Sequence, residues 1–145
     1  MTDTERKEAA RAILEKLEDE AARINTLRNT ADHLTRHDTM LSRKGVRASG
    51  QVKRQRLEIM TELQRMIDRH EQERQNIIAV IESITETTRL ENGCRDYLVL
   101  RYVEGMSHEE AAEQMGISEK HLARKRIRAM LLFCDAWEAR KNKVG

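Results

Sequence analysis

The chain has 145 residues, 27 Lys or Arg against 25 Asp or Glu, 36% charged and 39% hydrophobic residues, and no proline. That is enough for one domain, or for a compact head with an extended helical part. No run approaches the roughly 18 apolar residues of a membrane span, and the polar start from Met1 to Glu8 does not read as a signal peptide, so a cytoplasmic protein without a membrane partner is expected.

Without proline, long uninterrupted helices are permitted everywhere, and the expected class is all-α. In the first segment Ala10, Ile13, Leu17, Ile24, Leu27, Ala31, Leu34 and Leu41 recur at steps of three and four, broken at stripe positions only by Glu20 and Asp38. The spacing predicts a helix from about Asp3 to Leu41, roughly 60 Å long, which needs a partner helix along its length. Gly45, Ser49 and Gly50 then mark a loop over Ser42 to Gly50. A second helix is expected from about Val52 to Glu91. Ile59, Leu63, Met66, Ile77, Val80 and Ile84 follow one stripe, with Leu57, Met60, Ile67, Ile78 and Ile81 beside it. Residues 1–91 therefore read as a long antiparallel, coiled-coil-like hairpin whose apolar face is wider than one seam requires, to be covered by a second copy of the hairpin or by the C-terminal head; the expected outcome is an oligomerisation region and a homodimer.

Residues 92–145 read as a helix-turn-helix head. Ser107 lies three residues before Glu110, the spacing of a capping box that opens a helix. Gly116 can take the left-handed conformation that ends that helix, and Ser118 can cap the next. Ala111 and Ala112 are small where two helices must approach. Met115, Ile117 and Leu122 can fill the wedge between them, and Leu98, Leu100, Tyr102 and Val103 supply a preceding helix. From Lys120 to Arg128 there are five Lys or Arg and no acid. The expected DNA contacts are Ser118, whose helix N-terminus presents amides to a phosphate, with Lys120, His121, Arg124 and Lys125 toward base edges or flanking phosphates and Arg126 and Arg128 toward the backbone. Glu119 reads equally as an acceptor for a cytosine amino group or as a helix-dipole residue. A second acid-free run, with six basic residues between Thr39 and Arg56, makes Arg43, Lys44, Arg47, Lys53 and Arg54 a secondary candidate for DNA contact or else a solvated hairpin tip.

The run from Tyr102 to Ser107, with Glu109-Glu110-Ala111-Ala112-Glu113-Gln114-Met115-Gly116-Ile117-Ser118, resembles region 4 of sigma-70-type factors. The Ser118-Glu119-Lys120-His121-Leu122 run and the C-terminal placement of the unit are similar to the ArpU/RinA-type late-gene transcription regulators of phages and prophages. The resemblance implies a sequence-specific regulator that binds double-stranded DNA at a phage promoter, with host RNA polymerase as a further partner. Arg126 stands where sigma-type recognition helices usually carry a hydrophobe, with Ile127 next to it.

Catalysis is not expected, because the chain has no Gly-rich phosphate loop, no nucleophile and base pair and no metal-ligand array. No cofactor or metal is expected either. Cys94 and Cys134 form no C-x-x-C pair and read as buried small hydrophobes. His33 and His37, four apart, lack a third ligand, and His70 on an apolar stripe reads as a packed or titrating polar residue. With four aromatic residues in all, a stacking platform for single strands is disfavoured against duplex DNA. Two other classes stay open: a phage DNA-handling protein like a terminase small subunit, which would form rings, and a helical protein-binding adaptor, which would lack salt-dependent DNA binding.

Overall fold

The computed structural model describes residues 1–144, and the side chains of residues 1–142. Every regular element among them is helical: α1 (Asp3–Arg43), α2 (Gly50–Glu82), α3 (Cys94–Leu98) continued by a π-helical turn (Val99–Val103), α4 (His108–Met115) and α5 (Glu119–Val144). The all-α class holds, with two long helices followed by the shorter helices of a helix-turn-helix. The chain forms two compact units, one of Met1–Glu18 with the residues from Arg74 onward, the other of Asp19–Glu73.

The second unit is an antiparallel hairpin. Glu20 meets His70, Arg28 pairs with Glu71, and Asp38, a break in the apolar stripe, pairs with Arg56 at 2.8 Å. Its apolar burial is thin. Ile24 and Ile67 are buried, Leu27, Leu34, Met60, Leu63 and Met66 are half-buried, and Met40, Val46, Val52, Leu57 and Ile59 are exposed. Thr26, Thr30, Thr35 and Thr39 each return their hydroxyl to the carbonyl four residues earlier, which satisfies a β-branched polar side chain within a helix.

The first unit holds the main core. Ala10, Leu14 and Leu17 of α1 join Ile77, Val80, Ile81, Ile84, Tyr97, Leu98, Ala111, Ala112, Leu122, Ala129, Met130 and Phe133 in one cluster. Leu14 lies off the stripe read from the sequence, whereas Ile13 on that stripe is half-buried. The contacting face thus runs 10, 14, 17, which is an equally helical spacing. Trp137 is half-buried and stacks on Phe133 with ring centroids 6.0 Å apart. Cys94 and Cys134 are buried free thiols, and burial pushes the Cys94 thiol up to about 11.

The second helix stops at Glu82, nine residues short of the expected Glu91. Ser83 donates its hydroxyl to Val80 O at 2.7 Å, and the following Thr85, Thr87 and Thr88 carry hydroxyls that compete for backbone groups. Glu86 then accepts from the backbone amides of Gly93 and Arg95, and the Arg95 side chain donates to Ile84 O at 3.1 Å, so the segment folds into an anchored loop.

Leu14→Ala is expected to lower the unfolding free energy by about 2–5 kcal/mol, because Leu14 is fully buried, while Leu90→Ala on an exposed position should stay within about 0.5 kcal/mol. Urea denaturation followed by circular dichroism measures both.

Candidate nucleic-acid interface

The turn that aims α5 is built as the sequence prescribes. Ser107 Oγ accepts from the Glu110 amide at 3.1 Å, and the Glu110 carboxylate accepts from the Ser107 amide at 3.2 Å, closing a capping box at the start of α4. Gly116 ends α4 with φ 69° and ψ 31°, a left-handed conformation that costs an L side chain about 1–2 kcal/mol. Its amide and that of Ile117 bond back to carbonyls at the end of α4. Ser118 Oγ then accepts from the His121 amide at 3.1 Å and caps α5.

Periodicity divides the first half of α5 into two faces. Leu122, Ala129 and Phe133 are buried, with Ala111 and Ala112 of α4 in the same core. On the opposite side Lys120 and Arg124 are exposed, Ile127 continues that face at 49% exposure, and Ser118 and His121 are exposed at the helix start. Arg126 is exposed as well, so neither it nor Ile127 supplies the apolar contact usual in sigma-type helices; Ala129 and Met130 take it up in the following turn. Glu119 is exposed in the first turn of α5.

Lys125 and Arg128 have intramolecular partners. Lys125 donates through Nζ to Asn92 O, and Arg128 Nη2 donates to Glu91 Oε2 at 2.6 Å. Glu91 is 4% exposed and also accepts from the amide and the hydroxyl of Thr87. Those donors, Arg128 first, hold its carboxyl down at about 2 from an ordinary 4.5. The loop before α3 is thereby fastened to α5. Gly93 lies in the same loop with φ 86°, and a Cβ there would sit 3.3 Å from Met115 Cε.

Two grooves flank the exposed face. One, of about 970 Å³, has Val99, Leu100, Met115 and Ile117 among its apolar lining and Arg89, Asp96, Gln114, His121, Arg124 and Lys125 among its polar lining. The other, of about 400 Å³, lies between the first turns of α1 and the second and third turns of α5 and is lined by Lys7, Arg11, Arg126 and Ile127 with Thr4, Glu8, Ala123 and Met130. Arg89, Gln114, Lys7 and Arg11 were not among the residues picked out from the sequence. Arg89 falls where a continuous helix was expected. Lys7 and Arg11 reach α5 only through tertiary packing, for which no local pattern gives a signal. Arg43, Lys44, Arg47, Lys53 and Arg54 are exposed around the turn of the hairpin unit.

Residues 78–131 match the family described as sigma-70, region 4. No curated protein and no solved structure matches the chain. The matched segment begins in the last turns of α2 and ends within the apolar part of α5, so it takes in the capped turn, the basic face and the fastened loop. This part of the chain is a sigma-70 region 4-like helix-turn-helix, the kind of module that binds DNA. No helix among the described residues is long and apolar enough to cross a membrane.

Because the folded-state pKa of Glu91 lies below its unfolded value, its contribution is fully present above about 4.5 and is lost as pH falls toward about 2. Wild type should therefore be more stable than Glu91→Gln near neutral pH, and the gap should close through that window. Urea midpoints of both proteins across the acid range check this.

Proposed function

We propose that the chain is a sequence-specific double-stranded DNA-binding transcription regulator of phage or prophage genes. In this reading residues 92–145 are the DNA-binding domain and residues 1–91 the oligomerisation region of a homodimer, with host RNA polymerase as a further partner. The observation that carries it is the exposed trio Lys120, His121 and Arg124, side chains without a partner among the described residues, on the first turns of a serine-capped helix that α4 braces from behind. In a helix-turn-helix that end enters the major groove. Lys120 and Arg124 lie one turn apart and reach in the same direction, while the amides at Ser118 offer a phosphate site. Arg126 contacts the backbone. Lys125 and Arg128 support the surface through Asn92 and Glu91 and reach phosphate only where those bonds are exchanged. Arg43, Lys44, Arg47, Lys53 and Arg54 supply a second, weaker phosphate contact.

The phage assignment is supported by the Ser118 to Leu122 run, and the homodimer by the apolar residues that the hairpin unit leaves uncovered, Met40, Val46, Val52, Leu57 and Ile59. A second copy of the hairpin would remove them from water, and two heads would read two half-sites with added binding free energy.

Arg124→Ala should weaken specific binding by about 1–3 kcal/mol and relax base preference, whereas Lys120→Ala should lower affinity for all sequences and flatten the salt slope by about one. Fluorescence anisotropy on duplexes selected from phage DNA, at two salt concentrations, separates the two. Unchanged affinity in both variants removes the recognition-helix assignment. Light scattering should give twice the 16.9 kDa chain mass; a ring would favour the packaging-site reading and a monomer would refute the dimer.

A further inference from the structure

Glu20 sits between Leu17 and Ile24 at a position of α1 that the helical spacing gives to an apolar side chain, and it is 7% exposed. A carboxylate withdrawn from water to that degree requires a compensating positive partner. Facing it from α2 is His70, whose Nδ1 contacts Glu20 Oε2. Glu73 follows His70 by three residues and so shares its face of α2. One ligand atom from each of the three side chains lies within 4.8 Å of the others.

We propose that Glu20, His70 and Glu73 form a site for a divalent transition-metal ion of the zinc class, bound between the two helices of the hairpin. The donor set selects the ion. An imidazole nitrogen is a poor ligand for calcium or magnesium, which take oxygen, whereas one imidazole with two carboxylates suits zinc and leaves a fourth position for water. Charge points the same way. A dication balances both carboxylates at once. Ligand atoms about 2.0–2.2 Å from a tetrahedral ion stand about 3.3–3.5 Å from one another, so binding draws the exposed Glu73 inward and the ion parts the direct contact between His70 Nδ1 and Glu20 Oε2. A pocket of about 370 Å³ adjoins His70, lined also by Arg23, Thr26, Leu27 and Met66, and Glu73 itself is exposed to solvent. The bound ion would cross-link α1 and α2 in the unit that has the least apolar burial.

The test uses the full chain without a purification tag, titrated first with Co²⁺ and then with Zn²⁺. Wild type should bind one equivalent of Co²⁺ with visible ligand-field absorption, lose that signal to Zn²⁺, and gain thermal stability with added Zn²⁺. Glu73→Gln, at an exposed position that should not affect folding, should weaken the site by about 10–100-fold, at least the cost of losing an outer-shell partner, and His70→Ala should abolish it. Changing both His33 and His37 to Ala should leave the titration unaltered. The proposal is overturned if wild type shows no saturable binding, if Glu73→Gln binds as wild type does, or if the His33 and His37 variant is the one that loses the signal.

Discussion

The pairing of Leu122 with Ala111 and Ala112 in one core fixes the direction in which α5 leaves the turn, and every exposed cation on that helix takes its orientation from it. Two methyl side chains on α4 allow the close approach, and Gly116 supplies the one backbone conformation that reverses the chain between Met115 and Ile117. A larger residue at 111 or 112 would push α5 outward, and a Cβ at 116 would strain the turn itself. The polar side of α5 has no role in this packing. Its composition is therefore free to answer to a ligand.

The same helix serves as support and surface at once. Its buried side joins the core of the first unit through Leu122, Ala129 and Phe133, while Arg128 and Lys125 at its margin tie down the loop from Ser83 to Gly93. Burying Glu91 would be unfavourable without a cation, and Arg128 offsets that cost with a direct bond while Thr87 fills the remaining acceptor sites. A short irregular segment thus becomes rigid enough to frame one wall of the larger groove. Cation–π contact between Arg101 and Tyr102 at 5.3 Å and the edge-on packing of Tyr97 with His108 hold the neighbouring π-helical turn in a similar way.

Much of this was legible in the residues. Capping serines, the turn glycine and the alanine pair act over three or four positions, and local rules suffice to place them, so Ser107, Ala111, Ala112, Gly116 and Ser118 stand where the sequence puts them. The helix-turn-helix resemblance rested on those positions and matches the family found over residues 78–131. Less legible were features decided by contacts between distant segments. Periodicity carried α2 through to Glu91 because Ile84 still fits its stripe, yet the hydroxyls after Glu82 and the demands of Glu86 and Glu91 outweigh that pattern. The engagement of Arg128 with Glu91, the placement of Lys7 and Arg11 beside Arg126, and the meeting of Glu20 with His70 all depend on pairings that no single window contains.

The membership of Ala10, Leu14 and Leu17 in the same core as Phe133 has a consequence for how the polypeptide acquires its structure. Ala10, Leu14 and Leu17 find their core partners only across the intervening hairpin, so closing the principal core costs the loop entropy of that whole segment. Asp19–Glu73, paired locally, can form first and shorten that effective loop. An excised helix-turn-helix would keep every residue of its basic face and still lack the wall that α1 contributes to its interior.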